Sequence, residues 1–488
     1  LEKEEIIKRI CTGLNDYIIY PDSVKVTNDA AFLIGKNSNK KYLFFIGDKK
    51  ACSQFKGDLL NSYVIEGSKY VMRVSLTYDN ILKLRIFFPY INPIKCNKKS
   101  SFGTGDRLGM VTAAHIRAFE KKDIFPILAQ QSVRELNRTK RDWQDVMASA
   151  MWGYFESGLH IPFGADADHI KEEKDLKEAA DAGFTMFTID PSDYISELSS
   201  LSRQDIEKKY YGLKNRVQLE KKYIGKSLKL DGSEYRIDQE ILIPAAVKYG
   251  KALEKVEVLY SFLKSYMKRP FDFEVSIDEV EEPVTLPEHY FIASELNDAG
   301  VEFDNLALRY PGRWEKAIDY MGELEDFERQ LKSHVQILYM FEGYKLSLHS
   351  GSDKYSTYKA FSGLNNGNYH IKTAGTSYLE ALRTISETDY ELFRNIFTLS
   401  LENFEKDRDS YHLTTDVSKL KDINEVDDNK LGNYLDKAES RQILHVAFGS
   451  ILTNRVLKEK LYSKLFDNEV LHYKYVKNNI ERHLNYLA

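Results

Sequence analysis

The stretch HIPFGADADHIKEEKDLKEAADAGFTMFTID, residues 160–190, constrains this chain more than any other. The apolar run HIPFGA predicts a buried strand that delivers Asp166, Asp168 and His169 at its end. A charged amphipathic helix follows, closed by Gly183, and FTMFTI predicts a second strand ending at Asp190. Two short apolar strands joined by a helix read as a parallel βαβ unit, and polar residues at the strand ends sit where such folds collect their chemistry.

The same alternation extends over the middle of the chain. A helix through MVTAAHIRAFEKK, a strand FPILAQQS and a helix through DWQDVMASAMWGYFES precede the stretch; strands FDFEVSIDE, FDNLALRY, YKLSLHSGSDK and NYHIKTAGTS follow it. Repeated βα units predict a parallel sheet, and their number predicts a closed (β/α)8 TIM-type barrel over residues 99–385. Residues 195–270 read as Lys/Glu-rich helices interrupted by a hairpin that turns at Asp231-Gly232. Residues 1–98, with short apolar runs between Asn, Lys, Gly and Ser turns, predict a small β-rich accessory region. Residues 386–488 read as a helical C-terminal extension packed on the barrel. A chain of 488 residues, 43% hydrophobic, has enough apolar surface for a large core and is long for one domain.

Composition excludes several classes. A net charge of -5 provides no basic field for nucleic acid. Cys11, Cys52 and Cys96 are odd in number and form neither a disulfide framework nor a CxxC metal motif. No run approaches the roughly eighteen apolar residues that span a bilayer, and LEKEEIIKRI lacks a signal-peptide core. The expectation is a soluble cytoplasmic protein with a small-molecule substrate, with the oligomeric state, a homo-oligomer included, left open. Gly103, Gly105 and Gly109 of GTGDRLG lack both the GxGxxG spacing and a strongly apolar preceding strand, which argues against a nucleotide loop.

Strand alternation sorts the polar residues. In FDFEVSIDE, Phe273, Val275 and Ile277 share the face toward helices, while Glu274, Ser276 and Asp278 point inward; in KLSLHSGS, Ser347 and His349 point inward and Leu346 and Leu348 outward. Inward carboxylates are costly unless ligated or hydrogen-bonded. Asp168, His169, Glu274, Asp278 and His349 at one barrel mouth therefore predict a divalent-metal site with a nearby acid/base carboxylate. Asp190 either caps PSDYISEL or touches substrate, and His115, His160, His289, His334 and His370 are assigned to packing or surface roles.

These residues also carry a resemblance. ADADHIK followed by GFTMFTIDPSDY resembles the DHG and GFTSVMIDGS pairing of class II zinc-dependent aldolases, and FEVSIDEVEEPVT, GVEFDNLALRYPG and KLSLHSGSD resemble later aldolase segments in the same order. Closer still, GTGDRLGM, FGADADHIK, PEHYFIASEL, SLHSGSDK and KTAGTSYLEALR resemble the tagaturonate epimerase family over roughly residues 100–400. The resemblance implies interconversion of tagaturonate and fructuronate, both hexuronate ketoses, by an enzyme using a divalent ion such as Zn, Mn, Ni or Co. It implies His169 and His349 as ligands, with Asp168 or Glu274 moving the hydroxyl proton. The aldolase histidine in an NVHG-like segment is replaced by LRYPGRW, so a third ligand is needed, Glu274 first and Asp278 second. The HSGSDK loop carries Asp353 where aldolases grip a phosphate, which disfavours a phosphorylated substrate. A uronate needs a cationic partner, with Arg309, Lys372 and Arg134 as candidates; Ser132 and Asp278 are further substrate-contact candidates. Two other readings stand beside the epimerase: an aldolase acting on a non-phosphorylated sugar acid, and a noncatalytic sugar-binding barrel.

Overall fold

The computed structural model describes residues 16–487 except 29, 39, 66–68, 231, 342, 410 and 412. The charged amphipathic start, Cys11 and the expected turn residue Asp231 lie outside the described residues. The chain forms two compact units. One comprises the segments up to Ile94, Thr104–Ala165 and Ala374–Leu484; the other comprises Lys95–Gly103, Asp166–Thr373 and the last residues.

The first unit holds an antiparallel sheet in the order Ile18–Ile19, Ala31–Lys36, Lys41–Gly47, Lys69–Ser75 and Gly57–Ile65, with Lys25–Val26 paired to Ala31–Lys36. Val24, Leu33, Phe44, Ile46 and Val71 form a buried cluster on it. The same unit holds helices such as Trp143–Ser157, Thr376–Thr388 and Glu469–Tyr486. Among the described residues, no helix is long and apolar enough to cross a membrane.

The second unit is an α/β unit. Its strands are β1 (Ser101–Thr104), β2 (Asp166–Ile170), β3 (Met186–Ile189), β4 (Asp272–Ile277), β5 (Asn305–Leu308), β6 (Lys345–Leu348) and β7 (Tyr369–Thr373), in the spatial order β1-β7-β6-β5-β4-β3-β2. From β2 to β7 each strand pairs in parallel with its successor in sequence. Helices Glu173–Ala182, Gln239–Tyr266, Leu286–Asp298, Leu324–Leu338 and Tyr355–Leu364 alternate with them. An antiparallel hairpin of Ser227–Leu230 and Ser233–Arg236 interrupts the crossover from β3 to β4, with Gly232 at φ 80 in the turn. Such a left-handed position suits glycine, which has no Cβ to clash.

The sheet totals nine strands, against the eight expected. Seven strands are named from the sequence; the other two arise because FPILAQQS, read as one element, is two, Phe125–Ile127 and Gln131–Ser132, and because Ser101–Thr104, before GDRLG, is itself a strand. A second difference concerns HIPFGA. Its residues form no strand, and β2 is DADHI itself, so the acids lie within the strand rather than beyond it. An acidic strand stays buried because its carboxylates are bonded to a cation, described below.

This sheet is curled. Five inter-strand spacings separate β7 from β2, roughly 24 Å in a flat sheet. Yet Lys372 Nζ of β7 lies 2.8 Å from both Asp166 Oδ2 and Asp168 Oδ1 of β2. Only a sheet that curls strongly around its polar face brings those side chains together. The outer face is apolar: Phe187, Ile189, Phe273, Val275, Ile277, Leu306, Leu346 and Ile371 are all buried.

At the amino end of the sheet, Asp272 opens β4 and is 3% exposed. Its Oδ2 accepts the Cys96 N–H at 2.7 Å. Burial first, and the neighbouring Asp304 second, push its carboxyl up to about 7. The folded state thus holds this proton more tightly than the unfolded chain, and the associated stability is lost as pH rises through about 7. Asp272→Asn keeps an acceptor and never ionises. Its melting temperature should match wild type near pH 4 and exceed it increasingly toward pH 8, by the equivalent of about 4 kcal/mol. Thermal melts across that range check this, and a pH-independent difference would contradict it.

Candidate active site

The carboxyl ends of β2 to β7 gather the polar side chains. In parallel sheets this edge leaves the last residue of each strand turning into a loop, where it is accessible but still fixed by the strand. His349 follows β6, Asp278 follows β4, Arg309 follows β5 and Asp190 follows β3. Glu274, two turns of the pleat deeper, is fully buried.

The centre of the cluster is the Lys372 ammonium, 3% exposed. It lies 2.8 Å from Asp166 Oδ2, Asp168 Oδ1 and Glu274 Oε1, and donates to the Thr188 hydroxyl. Thr188 in turn donates to Asp166 Oδ1 at 2.9 Å. Burial opposes this ammonium's charge, but the carboxylates outweigh it, led by Asp166, and hold Lys372 protonated. For Glu274 burial likewise opposes ionisation, yet Lys372 and His349 keep its carboxyl well below the usual range. Asp168 is also held ionised against burial, first by His169 and then by Lys372. Asp166 differs: burial dominates, and its carboxyl is pushed up to about 6.

The two expected imidazoles meet here, ring centroids 5.2 Å apart. His349 Nε2 bonds Glu274 Oε1 at 2.5 Å and its Nδ1 bonds Asp278 Oδ1 at 3.0 Å. His169 Nδ1 bonds Asp168 Oδ1 at 2.7 Å, leaving Nε2 directed toward Glu279 and Asp278 at 3.8 and 4.0 Å. Burial lowers both imidazoles, but Asp168 raises His169 to about 10, and Asp278 with Glu274 raises His349 to about 9.

His169 reaches this site through an irregularity. The β2–β3 register shifts between Ala167 and Ile170, and His169 has φ 54. Regular alternation would send neighbours Asp168 and His169 to opposite faces; the bulge lets both serve one site.

Among the described residues, two groups have the donor types and spacing to hold a metal ion: His169, Asp278 and His349, and His169, Asp190 and Glu279, each with ligand atoms within 4.8 Å of one another. Two imidazoles and a carboxylate, with positions left for substrate, fit a catalytic divalent site. The second group is compromised, since Lys171 Nζ lies 3.6 Å from Asp190 Oδ2 and Asp190 Oδ1 accepts the Ser192 N–H. Glu274 stands in neither group; Ser347 donates to its Oε2 at 2.6 Å while its Oε1 meets Lys372 and His349.

The other sequence candidates are placed as follows. Arg309 is half-buried and its Nε is a buried donor with no hydrogen-bond partner among the described residues. Ser132 and Arg134 belong to the first unit, where Ser132 caps the helix Val133–Thr139 in a capping box and the Arg134 guanidinium stacks over Tyr411 at 4.8 Å. His370 bonds Ser101 at 2.9 Å, His115 bonds Ser377 at 2.6 Å, His289 bonds His334 at 3.0 Å and His160 stacks on Tyr90. Sequence reading assigned no role to Thr188, and Asp166 entered only as a strand-end acid. A signal for both existed: Asp166 shares a face with Asp168, and Thr188 is the one polar residue of the strand MFTI.

Comparison with known proteins agrees over nearly the whole length. A family model described as tagaturonate epimerase matches residues 20–487. A tagaturonate/fructuronate epimerase from Thermotoga maritima is 44% identical over 473 residues, 96% of this chain and 97% of that protein. The crystal structure of fructuronate-tagaturonate epimerase UxaE from Cohnella laeviribosi with one glycerol is similar at a TM-score of 0.92 and 32% identity, covering 99% of both chains. Its native form matches with the same TM-score and identity, over 100% of this chain and 99% of that one.

Proposed function

Because this chain belongs to the tagaturonate epimerase family, we propose that it interconverts tagaturonate and fructuronate with a divalent metal ion, by breaking and re-forming a carbon–carbon bond. In this reading the catalytic part is a (β/α)8-type barrel over residues 99–385, between a β-rich region and a helical extension, in a cytoplasmic enzyme of hexuronate breakdown. The observation that carries the metal reading is the convergence of His169, Asp278 and His349 beside a lysine-bound set of carboxylates.

The chemistry follows from the substrate. The inverted carbon is one bond too far from the ketone for its hydrogen to be acidic. Removing the proton of its hydroxyl instead lets the adjacent carbon–carbon bond break; the bonding pair moves into the ketone, which becomes part of an enediolate, and the inverted carbon becomes a free aldehyde. Turning the aldehyde over before the bond re-forms inverts the centre, and the proton returns to the new alkoxide.

Asp278, rather than Glu274, completes the ligand set with His169 and His349, because both Glu274 oxygens are already committed to Lys372, His349 and Ser347. Bound there, a divalent ion supplies Lewis-acid stabilisation of the charge on the enediolate oxygens. Asp168, ionised and 5% exposed, takes and returns the hydroxyl proton, with Glu274 as the second acid/base candidate. Arg309 receives the substrate carboxylate on Nε, which has no hydrogen-bond partner among the described residues.

Two measurements test this. His169→Ala, His349→Ala and Asp278→Asn should each lose bound metal and turnover, while Glu274→Gln should retain metal and lose turnover by about two to four orders of magnitude. Metal analysis and rates on the folded variants decide; full metal content in Asp278→Asn would remove it from the ligand set. For the mechanism, epimerisation in heavy water should leave no deuterium at the inverted carbon, and the purified enzyme should carry no dinucleotide. Label at that carbon, or a stoichiometric dinucleotide, would overturn the bond-cleavage route and leave the epimerase assignment standing.

A further inference from the structure

Lys372 presents a site cation where a uronate carboxylate would be sought, yet its surroundings argue for another role. An ammonium has three N–H donors, and four oxygens already surround this one: Asp166 Oδ2, Asp168 Oδ1 and Glu274 Oε1 at 2.8 Å, and the Thr188 hydroxyl. With three carboxylate oxygens and a hydroxyl already in contact with the nitrogen, no vacant contact position is left for a substrate carboxylate. A fourth carboxylate would also enter beside three existing ones, where like charges repel strongly at short range. The geometry further disfavours Lys372 as an imine-forming nucleophile, since a nitrogen enclosed by four oxygens has no open path to a carbonyl carbon.

The oxygens around Lys372 come from three other strands: β2 contributes Asp166 and Asp168, β3 Thr188 and β4 Glu274. From these carboxylates the bonding continues outward, Asp168 to His169 Nδ1 and Glu274 to His349 Nε2. One nitrogen thus orients both candidate acid/base carboxylates and, through them, both imidazoles.

We infer that Lys372 is a positioning residue, which fixes Asp168 and Glu274 for proton transfer and holds no part of the substrate. Substrate charge recognition is left to Arg309, whose buried Nε has no hydrogen-bond partner among the described residues. This rests on the epimerase reading above, and the two can fail separately.

The experiment is steady-state kinetics with tagaturonate on Lys372→Met and Arg309→Met, with metal content measured alongside. Lys372→Met should lower kcat by about 100-fold with KM within about threefold of wild type, as expected when the support of a catalytic group is lost. Arg309→Met should raise KM by about tenfold or more. Where Lys372→Met fails to fold, Lys372→Met/Asp166→Asn, which removes one buried charge of each sign, carries the same comparison. A raised KM with kcat retained in the Lys372 variant would identify it as the substrate ligand and overturn the inference. So would unchanged kinetics, or reduction by borohydride that fixes substrate to Lys372. A wild-type protein that does not epimerise tagaturonate would instead overturn the assignment of function, and the positioning role with it.

Discussion

Three carboxylates and one ammonium share the buried polar face of the curled sheet, and most of the architecture around them follows from that arrangement. Transferring several charges out of water is expensive, and mutual attraction compensates only when geometry is good and the remaining polar atoms are bonded. At Lys372 the three carboxylate distances are each 2.8 Å, Asp168 and Thr188 accept hydrogen bonds from the ammonium, and Thr188 links it to Asp166 Oδ1. Losing one partner of such a set leaves an uncompensated buried charge, at about 3–5 kcal/mol. The strands that supply these groups are held by that cost to one register and one curvature.

The same cluster determines the ionisation of its neighbours. Lys372 helps keep Asp168 and Glu274 as carboxylates despite their burial, and those carboxylates orient the two imidazoles through Nδ1 of His169 and Nε2 of His349. Hydrogen-bonded carboxylates behind histidines define which ring nitrogen faces a ligand, as they do in many metal sites. On His169 that leaves Nε2 directed toward Asp278 and Glu279.

Backbone irregularity at His169 is part of the same design. A left-handed φ in a non-glycine residue costs about 1–3 kcal/mol, and here it is accompanied by a register shift that turns two successive side chains to one site. The bond between His169 and Asp168 rewards the conformation directly. A regular strand would have kept the acid and lost the imidazole to the helix-facing side.

How much of this could be read from the sequence depends on the range of the interaction. Period-two alternation in FDFEVSIDE and KLSLHSGS separates Glu274, Ser276 and His349 from the apolar residues, because a strand's pleat is a local property of consecutive residues. The repeated βα pattern specifies the α/β class for the same reason, and the motif strings point to the epimerase family. Tertiary structure alone decided the rest. Lys372 and Asp168 are 204 residues apart, and only the curl of the sheet makes them neighbours; without it Lys372 looks like a cation awaiting a substrate. The split of FPILAQQS into two strands, the bulge that redirects His169 and the spacing that groups Asp278 with the two imidazoles have the same origin. Sequence by itself determined which side chains face the polar interior, since that is local; which of them bond to one another was decided by the curl of the sheet, which brings distant strands within reach.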